Sequence, residues 1–147
     1  MILYQDTDSI CKLYLSDEEG IAETRQAAGE ADVLAASLIA YAEVKGVFAR
    51  ARRARRIRST RALEQASADF DADWQDYFVM AVSSELVLEA GRLAMEHALT
   101  GVDAIHLASA KSLRDRISDN IAFSTWDRTL ARAAVTEGLY LAHEVNA

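Results

Sequence analysis

Five short runs rich in aliphatic and aromatic residues recur along the chain: MILYQ (1–5), ADVLAAS (31–37), YFVMAVS (77–83), DNIAFST (119–125) and GLYLAHE (138–144). Longer stretches of helical periodicity separate them. In one such stretch Leu63, Ala66, Phe70, Trp74 and Tyr77 repeat every three or four residues, the spacing of one helix face. This alternation predicts an α/β fold: a parallel sheet of five strands, covered by helices on both faces and joined by right-handed crossovers. In such sheets ligands bind outside the carboxyl ends of the strands. Residues just after a strand therefore carry the most functional weight.

The bulk properties narrow the classes. A chain of 147 residues with 51% hydrophobic and 27% charged side chains is expected to form one domain, spanning 1–147, with a substantial core. No apolar run approaches the roughly 20 residues of a membrane span, and the first residues lack a basic signal-peptide start. A soluble, cytoplasmic protein is expected. Cys11, the single cysteine, excludes an internal disulfide and a multi-cysteine zinc site, and its setting in SICKLYL suits core packing.

The net charge of −7 is unevenly spread. RARRARRIRSTR, from Arg50 to Arg61, holds seven arginines and no acid; the remainder carries nine basic against 23 acidic residues. Arg52, Arg53, Arg55 and Arg56 spread around a full helical circumference, so this stretch must leave the core. Two readings stand. The arginines neutralise RNA phosphates, or they face Asp69, Asp71, Asp73 and Asp76 of the next helix across a hairpin.

Asp6 and Asp8 follow the first strand in YQDTDSI. They suit a nucleophile and general acid, a part of a metal site, or a helix cap. Capping also accounts for TGVD, with Thr100 as cap and Asp103 three residues on, and for STWD, with Ser124 and Asp127. Glu43 is different. It sits in mid-helix among Leu38, Ile39, Tyr41, Val44, Val47 and Phe48, where no cap explains it and burial calls for a cation or a base. Arg50 is the structural candidate for that partner. Oxygen-only donors without a Cys or His cluster suit Mg²⁺ or Mn²⁺ rather than zinc. His106, within DAIHLASA, reads as a core histidine and stays outside the chemistry.

YQDTDSICKLYL, AYAEVKGVFARA, GVDAIHLASA and FSTWDRTLARAA resemble, in order and spacing, the four signature stretches of PIN-domain ribonucleases, specifically VapC-type toxins. The resemblance implies a PIN-like three-layer sandwich around a central five-stranded parallel sheet. It implies that Asp6, Glu43, Asp103 and Asp127 form an acidic centre for Mg²⁺ or Mn²⁺, with Thr7 and Thr125 orienting ligands and Asp8 in support. The implied reaction is endonucleolytic hydrolysis of RNA. A homodimer and a cognate VapB-like antitoxin covering the acidic groove follow from the same resemblance. Two departures stand in the first motif: Asp8 replaces a usual serine and Gln5 a usual aliphatic residue. Two alternatives belong to other classes. One is a haloacid-dehalogenase-like phosphatase using Asp6 and Asp8, whose later motifs match poorly. The other is a catalytically silent PIN module that binds RNA or a partner.

Overall fold

The computed structural model describes residues 1–145. Five parallel strands form one sheet in the order β3-β2-β1-β4-β5. They are β1 Ile2–Gln5, β2 Val33–Ser37, β3 Phe78–Met80, β4 Ile121–Ser124 and β5 Tyr140–Leu141. Each falls inside one of the five predicted runs. Seven helices connect them: α1 Thr7–Cys11, α2 Ile21–Glu30, α3 Ile39–Arg53, α4 Thr60–Trp74, α5 Ser84–His97, α6 Gly101–Arg116 and α7 Arg128–Thr136.

Every residue of β1 and β4 is buried, as expected of central parallel strands covered on both faces. Side chains alternate between the two. Ile2, Tyr4, Ala35, Ile121 and Phe123 pack with Leu93, Leu107, Leu113 and Leu130 of α5, α6 and α7. On the opposite face Ala36 meets Ile10, Val44, Phe48 and Phe70 of α1, α3 and α4, while Leu3 and Ala122 meet Ala27 of α2. The stripe on α4 packs as its spacing requires, except that Tyr77 lies beyond the last helical turn and is buried there. Cys11 is buried in the same layer, and burial pushes its thiol far above the ordinary range.

The chain builds outward from β1 to β3, then returns to place β4 on the other side of β1. That reversal opens a crevice at the carboxyl ends of β1 and β4, the binding position in doubly wound sheets. Register sets what faces it: Gln5 pairs with Ser124, so Asp6 and Thr125 leave the sheet at the same level. Among the described residues no helix is long and apolar enough to cross a membrane.

Candidate active site

Asp6 caps α1, its Oδ1 accepting the Ser9 amide at 2.8 Å. It is only 4% exposed and makes no ion pair among the described residues. Burial raises its carboxyl to about 6, although His106, the Thr125 hydroxyl and the Ser9 amide pull the other way. The capping and site readings of Asp6 are compatible, since a cap occupies one carboxylate oxygen and leaves the other.

Glu43 enters from α3. Its side chain is 29% exposed, so it is half-buried rather than enclosed as its sequence neighbours suggest; Leu38 and Tyr41 are in fact exposed. The Thr7 hydroxyl donates to Glu43 Oε1 at 2.6 Å, and His106 Nε2 lies 3.0 Å from the same oxygen. Burial pushes the Glu43 carboxyl up, but His106 and Thr7 together outweigh it and leave the group below its ordinary value. Arg50 forms no ion pair with Glu43; its guanidinium folds back over Gly46 and contributes only a weaker, longer-range attraction.

Asp103 is the third residue of α6, and its amide donates to the capping hydroxyl of Thr100 at 3.2 Å, as the spacing predicts. Burial raises its carboxyl, against the Thr100 hydroxyl. Asp127 is itself the cap of α7, accepting the Leu130 amide at 2.7 Å, while its own amide donates to Thr125 Oγ1 at 3.1 Å. The predicted cap at Ser124 is therefore corrected. Ser124 ends β4 and points inward, 2.5 Å from Ser9 Oγ and 3.0 Å from His143 Nε2. A residue still in the sheet cannot also start the helix.

Asp6, Thr7, Asp8, Glu43, Asp103 and Asp127 line one cavity of about 380 Å³, with Val47, Val102, His106 and Trp126 in the rest of its wall. Asp8 sits at the mouth, its side chain 53% exposed and 3.8 Å from Lys12 Nζ, which binds Glu18 more closely at 2.8 Å. Burial raises the Asp8 carboxyl, and Lys12 opposes it. A phosphatase using Asp8 as its general acid would need that carboxyl beside the reacting centre, and here it is held at the rim by a lysine.

The cavity's donors are mostly carboxylates, joined by the Thr7 hydroxyl and the His106 ring, and its deepest acid makes no ion pair among the described residues, a chemistry that fits a hard divalent cation. No three of these acids bring their oxygens within 4.8 Å of one another. Among the described residues the group that does so is Glu96, His97 and Glu137, outside the cavity. Arg92 pairs with Glu96 there and Lys111 with Glu137, so each carboxylate of that cluster already has a basic side chain beside it.

The arginine segment does not pair across the expected helical hairpin. Helix α3 stops at Arg53, and Arg55 adopts a left-handed φ of 60° that turns the chain back, anchored by buried Ile57. The acids of α4 are engaged elsewhere: Asp71 with Lys45 and Tyr41, Asp73 with Tyr14, and Asp69 with Gln65. Arg56 instead grips Asp17 at 3.0 and 3.1 Å and also pairs with Glu18, in the loop after α1. Among the described residues Arg52, Arg53 and Arg55 form no ion pair.

Two groups of residues escape sequence reasoning. His106 is 1% exposed and touches Tyr4, Thr7 and Glu43; its only signal is the three-residue spacing from Asp103, which places both on one helix face. The second is Trp126 with His143, stacked with ring centroids 4.1 Å apart. The Trp126 Nε1–H donates to Thr24 at 2.9 Å.

No family model matches the chain. Two curated relatives from Mycobacterium tuberculosis strains, ribonucleases VapC45 and VapC49, are each 32% identical over 145 residues, covering 96% of this chain and 94% of the relative. Among solved structures, a toxin–antitoxin complex from Klebsiella pneumoniae aligns with a TM-score of 0.66 at 19% identity, covering 99% of this chain and 100% of that one. Mycobacterium tuberculosis VapC20, a sarcin–ricin loop cleaving toxin, aligns at 0.63 and 18%, covering 89% and 94%. VapBC2 from Rickettsia felis, bound to a promoter DNA fragment, aligns at 0.63 and 16%, covering 96% and 97%. The structural likenesses support the PIN-type fold. The identity to ribonucleases over nearly the whole length, together with the ordered acidic motifs, shows that the chain belongs to the VapC family of PIN-domain toxin ribonucleases.

Proposed function

We propose that this VapC-family ribonuclease cuts RNA internally in the acidic cleft, using Mg²⁺ or Mn²⁺ held by Asp6, Glu43, Asp103 and Asp127. The observation that carries the reading is Asp6, buried at the sheet's switch point, forming no ion pair among the described residues and sharing one cavity with the other three acids. When bound, a divalent ion supplies positive charge to developing phosphoryl charge and lowers the pKa of water for attack. The chain's own contribution is placement. Backbone amides hold Asp6 and Asp127, Thr100 holds the α6 turn that bears Asp103, and Thr7 with His106 holds Glu43. Thr125 supports Asp127 through its amide. Asp8, half-exposed at the mouth and 3.8 Å from Lys12, stays in a supporting role.

RNA reaches the cleft past the end of α3 and the turn that follows it, where Arg52, Arg53 and Arg55 offer cations without ion-pair partners among the described residues. Arg56 is removed from that set by Asp17 and Glu18. The toxin–antitoxin neighbours support a VapB-like antitoxin as partner. A basic side chain of that partner placed among the acids would compete with the cation by charge alone. A single domain, a homodimer and a cytoplasmic setting complete the proposal.

The test is an RNA-cleavage assay on a generic oligonucleotide, run beside a small phosphomonoester, with Mn²⁺ or EDTA. Cleavage of RNA alone, dependent on Mn²⁺, is expected. Asp6→Asn and Asp103→Asn should abolish it, and Asp8→Asn should retain much of it. Phosphomonoester turnover lost with Asp8→Asn would overturn the reading in favour of a phosphatase; metal-dependent cleavage by neither route would leave a silent binding module.

A further inference from the structure

We infer that His106 is a positioning residue for Glu43, its ring braced in turn by Tyr4. The inference rests on the cation-site reading of the cleft. Tyr4 is fully buried on β1, and its hydroxyl lies 3.2 Å from His106 Nδ1. The phenol keeps its proton, because burial raises it far above the ordinary range. On the other side of the ring, Nε2 lies 3.0 Å from Glu43 Oε1. A bare nitrogen lone pair facing a carboxylate would be repelled, so Nε2 carries a hydrogen and donates it to Glu43 Oε1, while the Tyr4 hydroxyl braces the ring at Nδ1.

This directs the carboxylate. The Thr7 hydroxyl and His106 Nε2 both act on Oε1, at 2.6 and 3.0 Å, and neither engages Oε2, which is left for a ligand. A glutamate on an exposed helix face turns freely about three side-chain bonds. Here one oxygen is pinned from β1 through α6 to α3, and a rigid buried ring transmits the restraint. Partners of this kind, which orient a ligating carboxylate without touching the ion, govern metal affinity by about 10–100-fold.

The test measures Mn²⁺ binding calorimetrically on metal-free protein, with ¹H–¹⁵N correlation of the imidazole nitrogens as an independent readout. In the wild type His106 Nε2 should carry a hydrogen before any metal is added. His106→Leu should weaken Mn²⁺ by about 10–100-fold. His106→Gln, whose amide offers an N–H near the position of Nε2, should recover most of that loss. Tyr4→Phe, which removes the brace at Nδ1 and leaves Glu43 at Nε2, should give a smaller loss of affinity. Thermal melts check folding, and the Gln and Phe variants carry the test if the Leu variant is unfolded. Equal Mn²⁺ affinity in wild type and His106→Leu, or a proton on Nδ1 alone, would overturn the inference. A wild type that shows the hydrogen on Nε2 yet binds no Mn²⁺ would overturn the cation site instead.

Discussion

The Tyr77 hydroxyl donates to Gln5 Oε1 at 2.7 Å, joining the end of the central strand to a residue 72 positions away. Gln5 Nε2 in turn donates to Ser9 Oγ at 3.2 Å, and the chain of hydrogen bonds runs on through Ser124 to His143. A glutamine where the family usually carries an aliphatic residue is thus satisfied at both ends of its amide. Gln5→Leu strands the Tyr77 hydroxyl, and Tyr77→Phe strands Oε1. Each should cost about 1–3 kcal/mol, whereas the double variant should cost clearly less than the sum. Denaturant melts of the four proteins measure the coupling, and strict additivity would refute it.

The raised Asp6 carboxyl makes the metal-free fold sensitive to pH. Its folded value of about 6 lies above its ordinary 3.8, so between those limits the folded chain binds more protons than the unfolded one. Stability therefore falls as pH rises through that window. The full cost, about 3 kcal/mol, is present above it and absent below it. In EDTA at pH 8, Asp6→Asn should be the more stable protein by up to that amount, because asparagine caps a helix nearly as well. At pH 4 the two should converge. Parallel stability curves across pH 4–8 would contradict the assignment. Mn²⁺ should offset the cost in the wild type, by about 2.7 kcal/mol at a hundredfold excess over its dissociation constant.

The arginines should separate into two kinds. Replacing Arg52, Arg53 and Arg55 with Gln should flatten the dependence of log RNA affinity on log salt, by about 0.7 for each phosphate of a single strand that is no longer neutralised. Arg56→Gln should leave that slope unchanged and lower the melting temperature slightly, since its exposed carboxylate pairs are each worth about 1 kcal/mol or less. An altered salt slope in Arg56→Gln would show that RNA displaces Asp17 and Glu18.

Gly20 carries a φ of 79°, and a Cβ at this position would overlap the Trp126 ring. That indole lines the acidic cavity on one side and stacks on His143 on the other. Gly20→Ala should therefore push the ring aside at a cost of about 1–3 kcal/mol, shift the tryptophan fluorescence and reduce RNA cleavage. An unchanged spectrum and melt would show that the loop yields instead.

Much of this molecule is written locally. Runs such as MILYQ and DNIAFST are too apolar and too short to be surface helices, so five strands and their parallel order follow from alternation with helices. The positions of Asp6 and Asp127 after strands, and of Asp103 in a first helical turn, depend on neighbours within a few residues, which makes them legible. Tertiary structure decided what distant segments do to one another. His106 meets Glu43 across 63 residues and Tyr4 across 102, so DAIHLASA shows only that it shares a helix face with Asp103 and not what it touches. Arg56 likewise finds Asp17 across 39 residues rather than the acids of the adjacent helix, because one left-handed residue at Arg55 turns the chain back. Periodicity and capping record short-range sterics and hydrogen bonding, whereas the partner of a charge depends on where the packed layers bring two segments together.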